Sequence, residues 1–468
     1  MFSVPDHIFK AYDIRGIYPT EINEKNIEEI IKGIYSFFVR DLKKENLNVA
    51  LGRDMRVSSP SLFKIAKNTL LSLGATVIDI GLVSTPTFYF SVLHYKYDSG
   101  IQISASHNPP QYNGIKFVKR IGKQIIKIGK STGMDDVKTI VLNKNFITKK
   151  TIGKLITNKN VKKDEIDFAF KIVKPKHIKK LKVVADPANA MGITYIESLF
   201  KRLPCKLIKM NFKLDGTFPA HQPNPLEHKN VKDLESKVQE ETADLGIAPD
   251  GDGDRLFFVD EKGKIIPASI TTSILANDIL KNSKKKEKVL IDVRYTKNIS
   301  EIVKKNNGTP IIGKVGHALI TEHMIREDVI FCGESSGHYF YRDTGYAESG
   351  VLTILRLLEI IGKENKSISK IANNFAVSNE SGEFNFILQT KSDSKLLLAE
   401  IAEEHKEAKI SWLDGLSIEY PTWRFNIRTS NTEPLLRLNI EANSKVMIKK
   451  KIQELKQRIY QSGAREKH

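Results

Sequence analysis

Residues 47–81 constrain the fold more than any other stretch of the chain. LNVALGRD (47–54) is a short β-branched run, SPSLFKIAKNTLLSLG (59–74) carries apolar residues at helical spacing, and ATVIDIG (75–81) returns to a strand pattern. Strand, helix and strand in succession predict a βαβ unit, and hence layered α/β architecture. The alternation recurs at KKLKVVADPANAMG, at KVLIDVR (288–294), and at TPIIGKVG (309–316) followed by HALITEHMIRE. The tail reads differently, as strands (GEFNFIL, then WLDGLSIEYPTWRFNIRTSNTEPLLRLNIEA) followed by one long helix, a smaller α+β unit. At roughly 100–200 residues per domain, 468 residues make three or four domains. Polar, lysine-rich or loop-like stretches place the boundaries so that the domains run 1–150, 151–256, 257–372 and 373–468.

Composition excludes several classes of protein. Apolar residues make up 40% of the chain, enough for several cores, and no apolar run approaches the ~20 residues that span a bilayer. The N-terminal residues lack a charged region followed by an apolar one, so no signal peptide is expected. The two cysteines, Cys205 and Cys332, are far apart and form neither a disulfide framework nor a zinc spacing, as in a cytoplasmic protein. The net charge of +19 fits either a basic nucleic-acid-binding protein or a lysine-rich solvated surface. Dispersed lysines, dense only around 148–163 and 281–288 and without interleaved aromatics, favour the surface reading. Such a field would also draw in small anionic substrates. No nucleic-acid or membrane partner is expected.

Chemistry is concentrated in a few loops. ISASHNPPQYNGIKF displays Ser106 beside His107 and Asn108 on a loop pinned by Pro109, Pro110 and Asn113-Gly114. A serine–histidine hydrolase pair is disfavoured, because neighbours on an extended loop point apart and no acidic residue follows to orient the imidazole. PDGDGDR places Asp250, Asp252 and Asp254 at alternating positions, and three such carboxylates repel unless a cation lies among them. All-oxygen ligands suit Mg²⁺. An EF-hand fails because its sixth position is Arg255 and its flanks read as strands. A phosphatase with Asp250 as nucleophile would leave the serine loop unexplained, and a merely structural Asp/Gly turn is an expensive way to make a corner.

Other loops carry weaker signals. In CGESSGHYF, Glu334 between glycines suits sugar hydroxyls and His338 could move protons or bind phosphate; the alternative is an ordinary polar turn. RTSNTEP joins Arg428 to Ser430, Asn431 and Thr432, a phosphate nest or simply an Asn/Ser turn. His317 follows a glycine at a strand-to-helix turn, where a lone histidine is usually structural. In GRDMRVSSP an Arg–Asp pair is expected to hold a turn, and Arg15 in KAYDIRG lies early enough to reach a cleft.

Taken in order, KAYDIRG, SASHNP, PDGDGDR, GESSGH and RTSNTEP resemble the α-D-phosphohexomutase superfamily from end to end, and most of all its phosphomannomutase/phosphoglucomutase branch. The resemblance implies three related α/β/α domains with mixed sheets and a C-terminal α+β domain of TATA-binding-protein type, around a central cleft. It implies interconversion of mannose or glucose 1- and 6-phosphates, with one Mg²⁺ ion and a hexose 1,6-bisphosphate intermediate, in a monomer or weak dimer. Carried over, Ser106 is the phosphoserine, and it binds the metal with Asp250, Asp252 and Asp254. Arg15, Lys116, His317 and His338 assist transfer, Lys116 and His317 as general acid or base. Arg255, Glu334, Ser336, Arg428, Ser430, Asn431 and Thr432 hold the substrate. Ser104, where this branch often has threonine, keeps phosphoglucosamine mutase as an alternative, whereas KAYDIRG and Ser335 argue against it. Glu348 stands where the family usually has aspartate.

Overall fold

The computed structural model describes residues 4–149, 151–388, 391–429 and 435–467, with side chains omitted at 391–393. Two compact units emerge: one comprises the chain up to Ile266 together with Ser336–Ser369, the other Pro267–Ser335 together with the chain from Lys370 onward.

The first unit opens with β1 (Ile14–Ile17) and α1 (Glu24–Leu42). Asn23 caps α1 by accepting from the Lys25 and Asn26 amides, and Ile27, Ile30, Ile31, Ile34, Phe37 and Phe38 form its buried stripe. The expected βαβ unit follows as β2 (Asn48–Arg53), α2 (Ser59–Ser72) and β3 (Thr76–Leu82). Then come α3 (Thr85–His94), β4 (Ser99–Ile103), β5 (Tyr112–Ile121), β6 (Gln124–Lys127), α4 (Met134–Leu142) and β7 (Lys154–Thr157). The sheet order is β1-β5-β4-β2-β3-β7, with β6 paired to β5. It is mixed: β4, β2, β3 and β7 run parallel, while β5 is antiparallel to β4 and β1. One face packs on α1, α2 and α4, the other on α3 through Phe88, Tyr89, Phe90 and Val92.

Helix α5 (Val161–Val173) leads to a second mixed sheet of β8 (Lys182–Ala185), β9 (Lys206–Lys209), β10 (Leu245–Pro249), β11 (Leu256–Asp260) and β12 (Ile265–Ile266). Its order is β12-β11-β10-β8-β9. Helices α6 (Gly192–Phe200) and α7 (Lys232–Glu240) connect its strands. Two strand pairs run across the expected boundaries. β7 lies beyond residue 150 yet hydrogen-bonds to β3, and β11 lies at or beyond residue 256 yet pairs with β10. Charge and exposure mark an edge strand as linker-like, but the ladder that ties it in has no compositional signature.

The second unit begins with α8 (Ala268–Lys281), β13 (Lys288–Asp292), α9 (Lys297–Lys305), β14 (Thr309–Gly313), α10 (His317–Glu327) and β15 (Phe331–Gly333), where β14 and β15 flank β13 in parallel. The chain then returns to the first unit for the hairpin of β16 (Tyr339–Tyr341) and β17 (Ala347–Glu348) and for α11 (Gly350–Glu364). The tail is the expected α+β unit, an antiparallel sheet of β18 (Asn379–Ile387), β19 (Lys409–Ser411), β20 (Leu416–Glu419), β21 (Trp423–Thr429), β22 (Leu435–Ala442) and β23 (Arg465–Glu466). Besides the long helix expected at its end, α13 (Lys445–Gln461), the sequence reading passed over α12 (Lys391–Glu404), and both helices pack on one core with the sheet. No helix among the described residues is long and apolar enough to cross a membrane.

Candidate active site

In the first unit the serine and acidic loops meet. Ser106 lies between β4 and β5, whose register pairs Ile103 with Ile115 and so narrows the loop mouth. The acidic loop joins the antiparallel pair β10 and β11, closing between Pro249 and Leu256. Gly251 allows the contact: a Cβ there would fall 2.3 Å from the Ser106 carbonyl oxygen. Gly253 has φ +76, which glycine adopts freely, and it turns the loop so that the Asp250, Asp252 and Asp254 carboxylates converge.

All three carboxylates are buried, with one oxygen of each within 4.8 Å of the others. Burial first, and then the charges of Asp254 and Asp252, push the Asp250 carboxyl well above its usual range. Asp254 goes the other way: burial works against its charge, but Lys116 and His338 outweigh that and hold it low. The Lys116 ammonium lies 2.6 Å from Asp252 Oδ2 and 2.8 Å from Asp254 Oδ2. Burial alone would lower its pKa, yet Asp252 and Asp254 raise it well above the ordinary lysine value, so in this state it is a fixed cation. Asp252 Oδ1 is buried without a hydrogen-bond partner and, with the all-oxygen set, fits a hard divalent cation.

Ser106 Oγ donates to Asp250 Oδ2 at 3.3 Å and lies 3.1 Å from His107 Nδ1. The second contact corrects the sequence expectation that Ser106 and His107 point apart. Ser106 has φ +51, which breaks the alternation of an extended loop. The hydrolase reading gains nothing, because the carboxylate nearest the imidazole, Asp250 at 3.8 Å, faces the same Nδ1 rather than the far side of the ring. Burial, then Arg255 and Arg15, lower the His107 pKa well below the usual imidazole value. Arg15 reaches Asn108 of the serine loop and pairs with Asp13. His338 Nε2 is 3.2 Å from Asp254 Oδ1, and Ser336 Oγ is 3.0 Å from His338 Nδ1. Arg255, bridged in backbone to His338, has its Nε 3.8 Å from Asp250 Oδ2. Ser106, Lys116, the three aspartates, Arg15, Arg255, Ser336 and His338 therefore belong to one unit.

The remaining candidates lie in the second unit. Glu334 accepts from the Gly316 amide and pairs with the Arg294 guanidinium, both at 3.2 Å. Arg294 also forks onto Asp292, which accepts from the Ser335 amide and hydroxyl. His317 opens α10, half-buried, directly after Gly316. Arg428 lies on β21 opposite Arg437 on β22, and both guanidinium groups approach Glu383. Ser430, Asn431 and Thr432 lie outside the described residues.

Four family models, the phosphoglucomutase/phosphomannomutase α/β/α domains I, II and III and the C-terminal domain, match residues 6–147, 160–263, 268–377 and 383–461 in that order. The chain belongs to the phosphoglucomutase/phosphomannomutase family. It is 35% identical over 463 residues to the phosphomannomutase of Vibrio cholerae, covering 96% of this chain and 97% of the relative. The solved phosphoglucomutase/phosphomannomutase family protein of Burkholderia thailandensis superposes with a TM-score of 0.87 at 28% identity, over 99% of both chains. A remoter neighbour in fold is the N-acetylphosphoglucosamine mutase of Aspergillus fumigatus, solved with GlcNAc-6P and magnesium (TM-score 0.57, 13% identity, 81% of this chain and 93% of that one). As a member of this family the protein is an isomerase, a phosphohexomutase, and nothing in the comparisons favours nucleic-acid binding or hydrolysis as its activity.

Sequence reasoning passed over several residues that the structure places against these candidates. Thr85 donates to Asp252 Oδ2 at 2.6 Å, and nothing in the sequence around it marks that role. Glu348, set aside for its departure from the family pattern, has a carboxylate oxygen within 4.8 Å of ligand atoms of Asp254 and His338. The buried Lys127 ammonium is 2.6 Å from both its oxygens. Arg294 was findable, because it is a basic residue just past the carboxyl end of a parallel strand, where α/β folds place their ligands.

Proposed function

We propose that Ser106 carries a phosphoryl group and exchanges it with the two ends of a hexose monophosphate, mannose or glucose, through a bound hexose 1,6-bisphosphate. A free sugar hydroxyl attacks the phosphoserine phosphorus, the bond to Ser106 Oγ breaks, and the sugar becomes a bisphosphate. After the sugar has turned over, Ser106 Oγ attacks the phosphate at the other end and takes it back, leaving the isomeric monophosphate. The observation that carries this reading is the convergence of Asp250, Asp252 and Asp254 in a buried setting, with Lys116 paired to Asp252 and Asp254 and the Ser106 hydroxyl donating to Asp250. Such transfer needs alignment and charge neutralisation more than covalent chemistry from the protein.

Asp250, Asp252 and Asp254, together with the serine phosphate, would hold one Mg²⁺, which supplies Lewis-acid neutralisation of the transferring group. The magnesium bound to the Aspergillus enzyme is in keeping with this assignment. Arg15 adds fixed positive charge, Lys116 adds it while the aspartates hold it, and His338 and Arg255 line the same loops. Lys116 and His317 are the candidates for proton transfer at the attacking hydroxyl, Lys116 once substrate has drawn it from the aspartates. Glu334 and Ser336 take sugar hydroxyls, and Arg428 with Ser430, Asn431 and Thr432 clamps the phosphate that stays.

The test is a coupled assay with Mg²⁺ and a trace of glucose 1,6-bisphosphate over a panel of mannose, glucose and glucosamine phosphates. Interconversion of the mannose or glucose pair is expected, and Ser106→Ala should lose at least about 1,000-fold in kcat. The reading is sunk by turnover of neither pair, or by a fully active alanine variant. Preference for glucosamine 6-phosphate would redirect it to phosphoglucosamine mutase.

A further inference from the structure

Arg56 has no solvent exposure. Its Nη1 donates to the carbonyls of Pro109 at 2.8 Å and Tyr112 at 2.9 Å, and its Nη2 to those of Ser106 at 2.9 Å and Asn108 at 2.6 Å. One guanidinium thus grips four carbonyls of the loop that displays Ser106. The Asp54 carboxylate, 3.3 Å from Nε, supplies the counter-charge, and the Phe218 ring covers the group at 5.2 Å. The Arg–Asp pair therefore does more than close its own turn. Burying a guanidinium is costly, and a turn of the type formed by Asp54 needs only the backbone amide of Arg56 and the hydroxyl of Ser59, both of which Asp54 Oδ1 already accepts.

The grip has a direction. A trans peptide points its N–H away from its C=O, so drawing the Ser106 carbonyl toward Arg56 turns the His107 amide the opposite way. It also holds Ser106 at φ +51, a conformation that residues with a side chain avoid and that persists only where surroundings enforce it. A planar fork with donors fixed in space can satisfy four carbonyls at once, whereas a lysine ammonium has three donors on a flexible stem. We propose that Arg56 is the positioning residue of the phosphoryl carrier: it tethers the loop from beneath and fixes the direction in which Ser106 Oγ is presented. The inference rests on the phosphoserine reading for its consequence in catalysis, but not for the tether itself.

Hydrogen exchange of the full-length chain and phosphoryl uptake at Ser106 from labelled glucose 1,6-bisphosphate test it together. Arg56→Met and Arg56→Lys are expected to exchange amides in 104–113 at least about 10-fold faster, with segment 30–38 of α1 unchanged. Phosphoryl uptake should fall about 100-fold, as misplacing a reacting group does, with KM for the hexose phosphate changed by less than about threefold. In Arg56→Ala, millimolar guanidinium should restore part of the uptake, while ammonium should not. Should the methionine variant fail to fold, the lysine variant, which keeps the buried charge, decides. Wild-type exchange in 104–113, or wild-type uptake, in a folded variant overturns the proposal. A wild-type enzyme that takes up no label defeats the phosphoserine reading instead, and loop exchange then decides on Arg56 alone.

Discussion

Asp252 uses its two oxygens differently. Oδ2 accepts from Thr85 and Lys116, while Oδ1 is left without a partner in a buried setting. The Thr85 hydroxyl thus fixes which oxygen is available to a cation. Thr85→Val should raise the Mg²⁺ concentration for half-maximal activity, and for half-maximal thermal stabilisation, by about 10-fold, and Thr85→Ser should restore both. A second residue carries a pH dependence. Burial lifts the Glu165 carboxyl to about 7, against the opposing hydrogen bond from Thr87, whereas in the unfolded chain it titrates near 4.5. Between these values the folded protein keeps a proton that the unfolded chain has lost, so stability declines as pH rises through that window. Glu165→Gln is therefore expected to raise Tm at pH 8, by up to about 3 kcal/mol in stability, and to change little at pH 4. The metal loop was legible at this scale because its residue types are chemically loaded. Thr85 and Arg56 were not, because their partners lie 167 and about 50 residues away and no local pattern announces the pairing.

Between elements, the bond that most repays attention joins β6 to β17. Lys127 is buried against the Phe340 and Tyr89 rings, with Glu348 as its counter-ion. Lys127→Met leaves the Glu348 charge buried and alone, and should cost about 3–5 kcal/mol in urea unfolding. The double variant Lys127→Met/Glu348→Met should recover most of that loss, which a double-mutant cycle would show directly. At the end of α1, Asn23→Ala should cost about 1 kcal/mol, lowering the urea midpoint without changing the slope. Element types were readable from periodicity, down to the βαβ unit at β2, α2 and β3. The edges were not: β7 is exposed along its length, and its exposure and the lysine-rich stretch around it resemble a linker while its backbone is bound to β3.

At the scale of the whole molecule, four family domains are strung along a chain that forms two compact units, and the first unit is completed only by Ser336–Ser369. That order has a consequence for how the protein is made. Lys127 leaves the ribosome long before Glu348, which lies 221 residues downstream, and the Asp254 carboxylate likewise precedes His338 by 84. A nascent chain halted at Ile266 has every strand of the first two sheets but neither of these partners. Such a fragment should be cleaved by protease within the segments around Lys127 and Asp254, where the full-length chain resists. Translation must therefore run through Pro267–Ser335, the earlier part of the second unit, before the first can lock, so the surroundings of the acidic loop are completed well after Ser106 is made.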